Sequence, residues 1–104
     1  VELLVGGRIR LGRDAGSPLI LPTSRFAEGT RCQWHALVPI DCFWGHHTPG
    51  PMEPPKYADD DLLILLGACQ RTQAVATLNV GIYQDGHLGS ATVAQLARLR
   101  KRLG

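Results

Sequence analysis

Hydrophobic and polar positions change rhythm along this chain, and the change divides it near Cys32. Beyond that point the pattern is regular. Cys32-Gln33-Trp34-His35-Ala36-Leu37-Val38 reads as a strand closed by Pro39. Asp59-Asp60-Asp61 opens a helix, because acidic side chains suit the positive end of the helix dipole and Asp is a good N-cap. Leu62, Leu65, Leu66 and Cys69 then recur at helical spacing. Residues 74–80 are almost continuously apolar, the rhythm of a strand covered on both faces, and Gly81 ends it. Asp85-Gly86 and Gly89 predict turns. Ser90 caps a last helix with Val93, Leu96, Leu99 and Leu103 on one face. Its final turns carry Arg98, Arg100, Lys101 and Arg102, cations that complement a helix C-terminus.

The first third is less regular. Glu2-Leu3-Leu4-Val5 reads as a short strand stopped by Gly6-Gly7, and Ile9 and Leu11 alternate with Arg8, Arg10 and Arg13 as in a half-buried edge strand. Residues 12–31 carry loop punctuation around one short strand at 19–21. The fold class is therefore α/β in one domain over 1–104: an edge strand and loops over 1–31, and two βα units over 32–104 with a short, mostly parallel sheet. Parallel strands in one sheet are joined by a right-handed crossover, and ligand-binding residues gather at their carboxyl ends. Those places are Arg8, the loop Ile40–Lys56, and the stretch from Asn79 to His87.

Composition narrows the picture. The chain has 104 residues with 44% hydrophobic and 19% charged, a globular composition. That length excludes a complete (β/α)8 barrel, which needs roughly 200 residues or more. The net charge of +2 is too mild to point to nucleic acid or to an anionic membrane. No apolar run is long enough for a membrane span. The chain begins at Val1, as a processed product or a piece of something longer would. Three cysteines, Cys32, Cys42 and Cys69, make an odd count that reads as reduced, mostly buried thiols and not as a disulfide scaffold.

Candidate chemistry concentrates in the loop Ile40–Lys56, which holds four of the seven prolines together with Phe43, Trp44, His46 and His47. A long irregular stretch of this kind is commonly functional. His35, Asp41, Cys42, His46 and His47 are ligand types for zinc or iron, but no CxxC, HxxxH or HxH spacing pairs them, so no metal and no cofactor is expected. No GxSxG is present, and the stretch from Gly81 to Gly86 lacks the spacings of a phosphate loop. Trp34 and Trp44 with neighbouring His, Asn and Arg offer the mixture a carbohydrate site uses: an indole face for sugar C–H groups, and polar groups for hydroxyls. Core packing is the plainer alternative for Trp34.

Several of these stretches together resemble the C-terminal part of the catalytic barrel in the α-L-fucosidase family, glycoside hydrolase family 29. Val5-Gly6-Gly7-Arg8 is similar to that family's strand ending in Asn-Asp-Arg. Trp34-His35 and Phe43-Trp44-Gly45-His46 resemble its Trp-Glu and aromatic-Gly-Tyr groups, with the ten-residue spacing between the two Trp kept. Ala76-Thr77-Leu78-Asn79-Val80-Gly81, followed by Asp85-Gly86 and a leucine-bearing helix, resembles its last strand, turn and helix. The likeness runs from about residue 3 to 104. It implies the last strands of a (β/α)8 barrel and a fucoside-like substrate, with Arg8, Trp34, Trp44, His46 and Asn79 as substrate-contacting groups. His35 replaces the Glu after Trp34, and Ile82 replaces a Pro. The family's nucleophilic Asp lies on an earlier strand without a counterpart here. Where its acid/base Glu belongs, near Pro22-Thr23-Ser24, Glu28 is the only nearby carboxylate. A retaining glycosidase needs two carboxyl groups about 5–5.5 Å apart, so the resemblance implies a segment that binds sugar and is not catalytic alone. Exposed sheet edges imply a homo-oligomer or a partner carrying the remaining barrel strands. The other reading of the same residues is a non-catalytic α/β module that binds a protein partner.

Overall fold

In the computed structural model the described residues are 7–8, by their backbone, 19–42, 45–46 and 49–104. Within them the order is β1 (Gly7–Arg8), β2 (Ile20–Leu21), β3 (His35–Pro39), α1 (Asp59–Thr72), β4 (Val75–Asn79) and α2 (Ser90–Leu103). β3 and β4 pair in parallel, in register from His35 opposite Val75 to Pro39 opposite Asn79. β1 and β2 pair antiparallel in a separate two-stranded sheet. The expected sheet is thus two small ones, of which the βαβ pair is parallel. Gly7, expected as a stop, is a strand residue, and Arg8 stands within β1 and not after a strand. The expected strand over 2–5, the alternation around Ile9 and Leu11, and Phe43, Trp44 and His47 lie outside the described residues.

The start of β3 differs from expectation for a local reason. Gln33 bridges antiparallel to Phe26, and the Trp34 amide donates to the Arg25 carbonyl at 2.8 Å, so residues 32–34 belong to a preceding hairpin. Pro39 closes β3 from inside it. The Trp34 carbonyl and the Ile40 amide both bond to the β4 side, at Val75 and Asn79. Alternate residues of a strand face the same neighbour, so the nitrogen of Pro39 is turned to the opposite edge, where a missing N–H removes no ladder bond.

One face of the parallel pair is covered. Ala36, Val38, Ala76 and Leu78 pack toward a core of Leu19, Leu21, Ile40, Tyr57, Leu62, Leu65, Ala68, Cys69 and Leu99. The opposite face carries His35, Leu37, Val75 and Thr77, with Leu37 49% and Val75 40% exposed. The two-sided cover expected for β4 is therefore one-sided in the described residues. His35 Nε2 and Thr77 Oγ1 are bonded at 2.8 Å across this face.

Both helices are capped one residue earlier than expected, so that Asp59 and Ser90 are already helical. Ala58 is the N-cap of α1 and Gly89 that of α2, and neither supplies a side-chain cap bond. Asp59 instead meets Arg98 and Gln95 of α2. The buried side of α2 is Thr92, Gln95 and Leu99, whereas Val93 is 48% and Leu103 38% exposed. The leucine stripe predicts a face rotated away from this one. Two polar residues are buried because partners await them: Thr92 donates to Asp41, and Gln95 donates to the Tyr57 carbonyl and to Asp59. Arg98 and Arg102 pair with Asp59 and Asp60, so part of the basic helix end is tied to α1.

Candidate functional site

The carboxyl ends of β3 and β4 are joined by one buried carboxylate. Past β3 the Ile40 amide still donates to the Asn79 carbonyl at 3.0 Å, and the next residue, Asp41, has no solvent exposure. Its Oδ1 accepts the Cys42 amide at 2.6 Å and the Gly81 amide at 2.8 Å. Its Oδ2 accepts the Thr92 hydroxyl at 2.8 Å. An acceptor-only group in the interior is stable only when donors surround it, and here they come from β3's exit, β4's exit and the first turn of α2.

Glycine lets these exits approach. A Cβ at Gly81 would stand 2.2 Å from Cys42 Sγ and 2.8 Å from Met52 Sδ. A Cβ at Gly89 would stand 2.9 Å from Met52 Cγ. Met52 therefore lies across both turns and fastens the long loop to them. Burial, and then the neighbouring Asp41 carboxylate, push the Cys42 thiol up from its ordinary range. That direction favours the protonated thiol, and the buried Cys42 packs against the Gly81 turn. Among the described residues no group of three or more His, Cys, Asp or Glu is arranged to hold a metal ion.

Beyond this clamp the two loops part around an open groove of about 760 Å³ lined by His46, Pro49, Gly50, Ile82, Tyr83, Gln84 and Gly86. The wall from β4 is a tight hairpin. Ile82 bridges Leu88, the Tyr83 amide donates to the His87 carbonyl at 2.9 Å, and Gly86 takes the left-handed φ of 94° that such a turn favours in glycine. The Tyr83 hydroxyl accepts the Met52 amide at 2.5 Å. The Tyr83 ring meets His46 edge-on, with centroids 5.2 Å apart, and stacks on His87 at 4.3 Å. Each histidine has a carboxylate: Glu53 lies 3.4 Å from His46 Nδ1, and Asp85 bonds His87 Nδ1. The Glu53 backbone amide, and then His46, hold the Glu53 carboxyl below its ordinary range. The His87 ring holds Asp85 down likewise.

The structure gathers some of the expected residues here and leaves others apart. Asn79 is the last residue of β4 and His46 lines the groove. Trp34 lies at the other end of β3, partly buried against the core. Glu28 is exposed in the turn of the 26–33 hairpin, where the Thr30 amide donates to the Ala27 carbonyl at 3.0 Å. Arg8 contributes its backbone to β1, and its side chain, like Trp44, lies outside the described residues. Sequence reasoning missed Glu53, Tyr83, Asp85 and His87 as a cluster. The available signal was an aromatic and a histidine flanking Asp85-Gly86, one on each arm of a hairpin turn. Comparison with protein-family models, with curated proteins and with solved structures finds no match to this chain.

Proposed function

We propose that this α/β unit is a fucosidase-like glycoside hydrolase segment that contributes sugar-contacting groups and is not catalytic by itself. The observation that carries the reading is the groove at the carboxyl ends of a parallel strand pair, the place where such folds hold ligands. Its lining joins apolar Ile82 and Pro49 and the Tyr83 ring to the Gln84 amide, a mixture suited to a sugar's C–H face and its hydroxyls. Asn79 ends the adjoining strand, and Trp44 and Arg8 are the further contacts implied by the family resemblance. The carboxylate nucleophile is supplied from outside this chain.

Titration with L-fucose and nitrophenyl glycosides, followed by tryptophan fluorescence, tests this. Saturable change that disappears in Trp44→Ala is the expected result, and silence across the panel overturns it. The exposed Leu37 and Val75, on the face of the β3–β4 pair opposite the core, favour a second reading, a non-catalytic interaction module or self-associating chain. Silence toward sugars together with a light-scattering mass above that of one 11.3 kDa chain would support that alternative.

A further inference from the structure

We propose that the imidazole offered to a ligand at this groove is that of His87, and that His46 is a positioning residue for the loop. The inference rests on the sugar-binding reading above and names which side chain serves it. His46 has no ring nitrogen to spare. Its Nε2 lies 3.0 Å from the Gly50 carbonyl, which can only accept, so this nitrogen is a donor. Its Nδ1 is turned toward Glu53 at 3.4 Å, and its side chain is only 8% exposed. Both contacts lie within the stretch from His46 to Glu53, and the ring edge abuts Tyr83. The residue ties its own loop and holds it against the hairpin.

His87 has the opposite arrangement. Its Nδ1 donates to the Asp85 carboxylate, and its backbone amide bonds the same oxygen at 3.3 Å. The ring is further fixed by stacking on Tyr83 at an interplanar angle of 17°. In the neutral ring, a carboxylate on one nitrogen sets the tautomer and leaves the other with a lone pair. Among the described residues no hydrogen bond reaches His87 Nε2, and the side chain is 63% exposed. His87 stands at the margin of the groove and not in its lining: it stacks on Tyr83 and follows Gly86, both of which line it. An oriented acceptor there matches the hydroxyl group of a saccharide, which donates to Nε2.

Two measurements on the full chain test the assignment. Without any sugar, diethyl pyrocarbonate labelling read by peptide mass spectrometry reports which imidazole nitrogens are free. His87 should label well before His46, and equal or reversed rates overturn the proposal. With the nitrophenyl glycoside that binds best, His87→Ala should weaken binding about three- to tenfold, the worth of one hydrogen bond. The His87 imidazole NMR signals should shift saturably with the same sugar. His46→Gln, which keeps an N–H for Gly50, should still show the saturable shift of the His87 signals. If the wild type binds a glycoside and His87→Ala binds it equally well, the assignment fails while the sugar reading stands. If the wild type binds none of the panel, both fail.

Discussion

The two ends of the parallel β3–β4 pair are built by different means. At the amino end the chain closes by backbone, Trp34 donating to Arg25 and accepting from Val75, and by one side-chain bond, from Gln33 Nε2 to the Gln73 carbonyl at 2.9 Å. Gln73 itself takes the left-handed φ of 62° that ends α1. Trp34 covers part of the core nearby. The carboxyl end cannot close in this way, because both strands must leave it in loops. There a buried carboxylate and two glycines hold the exits together, and the loops diverge above them. Regular hydrogen bonding leaves no space for a ligand. A polar clamp under two divergent loops does, and its cost is dependence on a few residues.

The sharpest test of that difference is Asp41→Ala. It strands the Cys42 and Gly81 amides and the Thr92 hydroxyl in the interior. Unpaired buried donors cost roughly 1–3 kcal/mol each and do not add fully, so a loss of about 3–5 kcal/mol is expected in urea unfolding. Asp41→Asn keeps an oxygen for the two amides and an N–H for Thr92, and should lose only about 1 kcal/mol. Hydrogen exchange at Gly81 and the NMR signals of Tyr83 should change together in the alanine variant. A destabilised protein whose Tyr83–His87 signals are unchanged would show that Asp41 stabilises the fold without placing the groove.

Gly81→Ala comes next. The added methyl would meet Cys42 Sγ at 2.2 Å. Overpacking of this kind costs about 1–3 kcal/mol. Because Cys42 is one of the obstructing side chains, Cys42→Ala should recover part of that loss in a double-mutant cycle. Strictly additive effects would mean that Met52, 2.8 Å from the same Cβ, yields no room when Cys42 does. At the amino end Trp34→Leu is the counterpart: a packing loss of about 1–2 kcal/mol with the Tyr83 and His87 signals unmoved.

The elements were legible where one periodicity dominates. The Leu62, Leu65 and Cys69 spacing marks the buried face of α1, and the apolar run over 74–80 contains β4. The face of α2 was not legible, since burial of Thr92 and Gln95 depends on Asp41 and Tyr57, 51 and 38 residues away in sequence. The beginning of β3 was hidden for a similar reason, its preceding residues being held by Phe26 and Arg25. At the groove, strand-end logic pointed to His46, which lines it, and to Asn79, which ends the adjoining strand outside the lining. It could not show that His46 would be occupied by its own loop, nor that the Gly86 turn would stack His87 on Tyr83. Asp41 was visible only as a member of a list of metal-ligand types. Its role as acceptor for three donors exists only once both strand exits and α2 are in place.

The smallest effect is expected away from the groove, in the contact between the helices. Arg98, and then Gln95, hold the Asp59 carboxyl down at about 2 from an ordinary 3.8. A carboxylate whose folded value is depressed contributes stability that is fully present above its unfolded value. That contribution fades as pH falls from 3.8 through about 2. Asp59→Asn and Arg98→Gln should therefore be slightly less stable than wild type at pH 7, and the gap should narrow over that acid window in urea unfolding. Arg98 is half exposed, so added salt should shrink the gap at neutral pH as well. Unlike Asp41→Ala, neither substitution should alter the Tyr83 and His87 signals. If Asp59→Asn does shift them, the start of α1 communicates with the groove through the loop that precedes it. The clamp at Asp41 would then be one of two devices holding that end of the sheet.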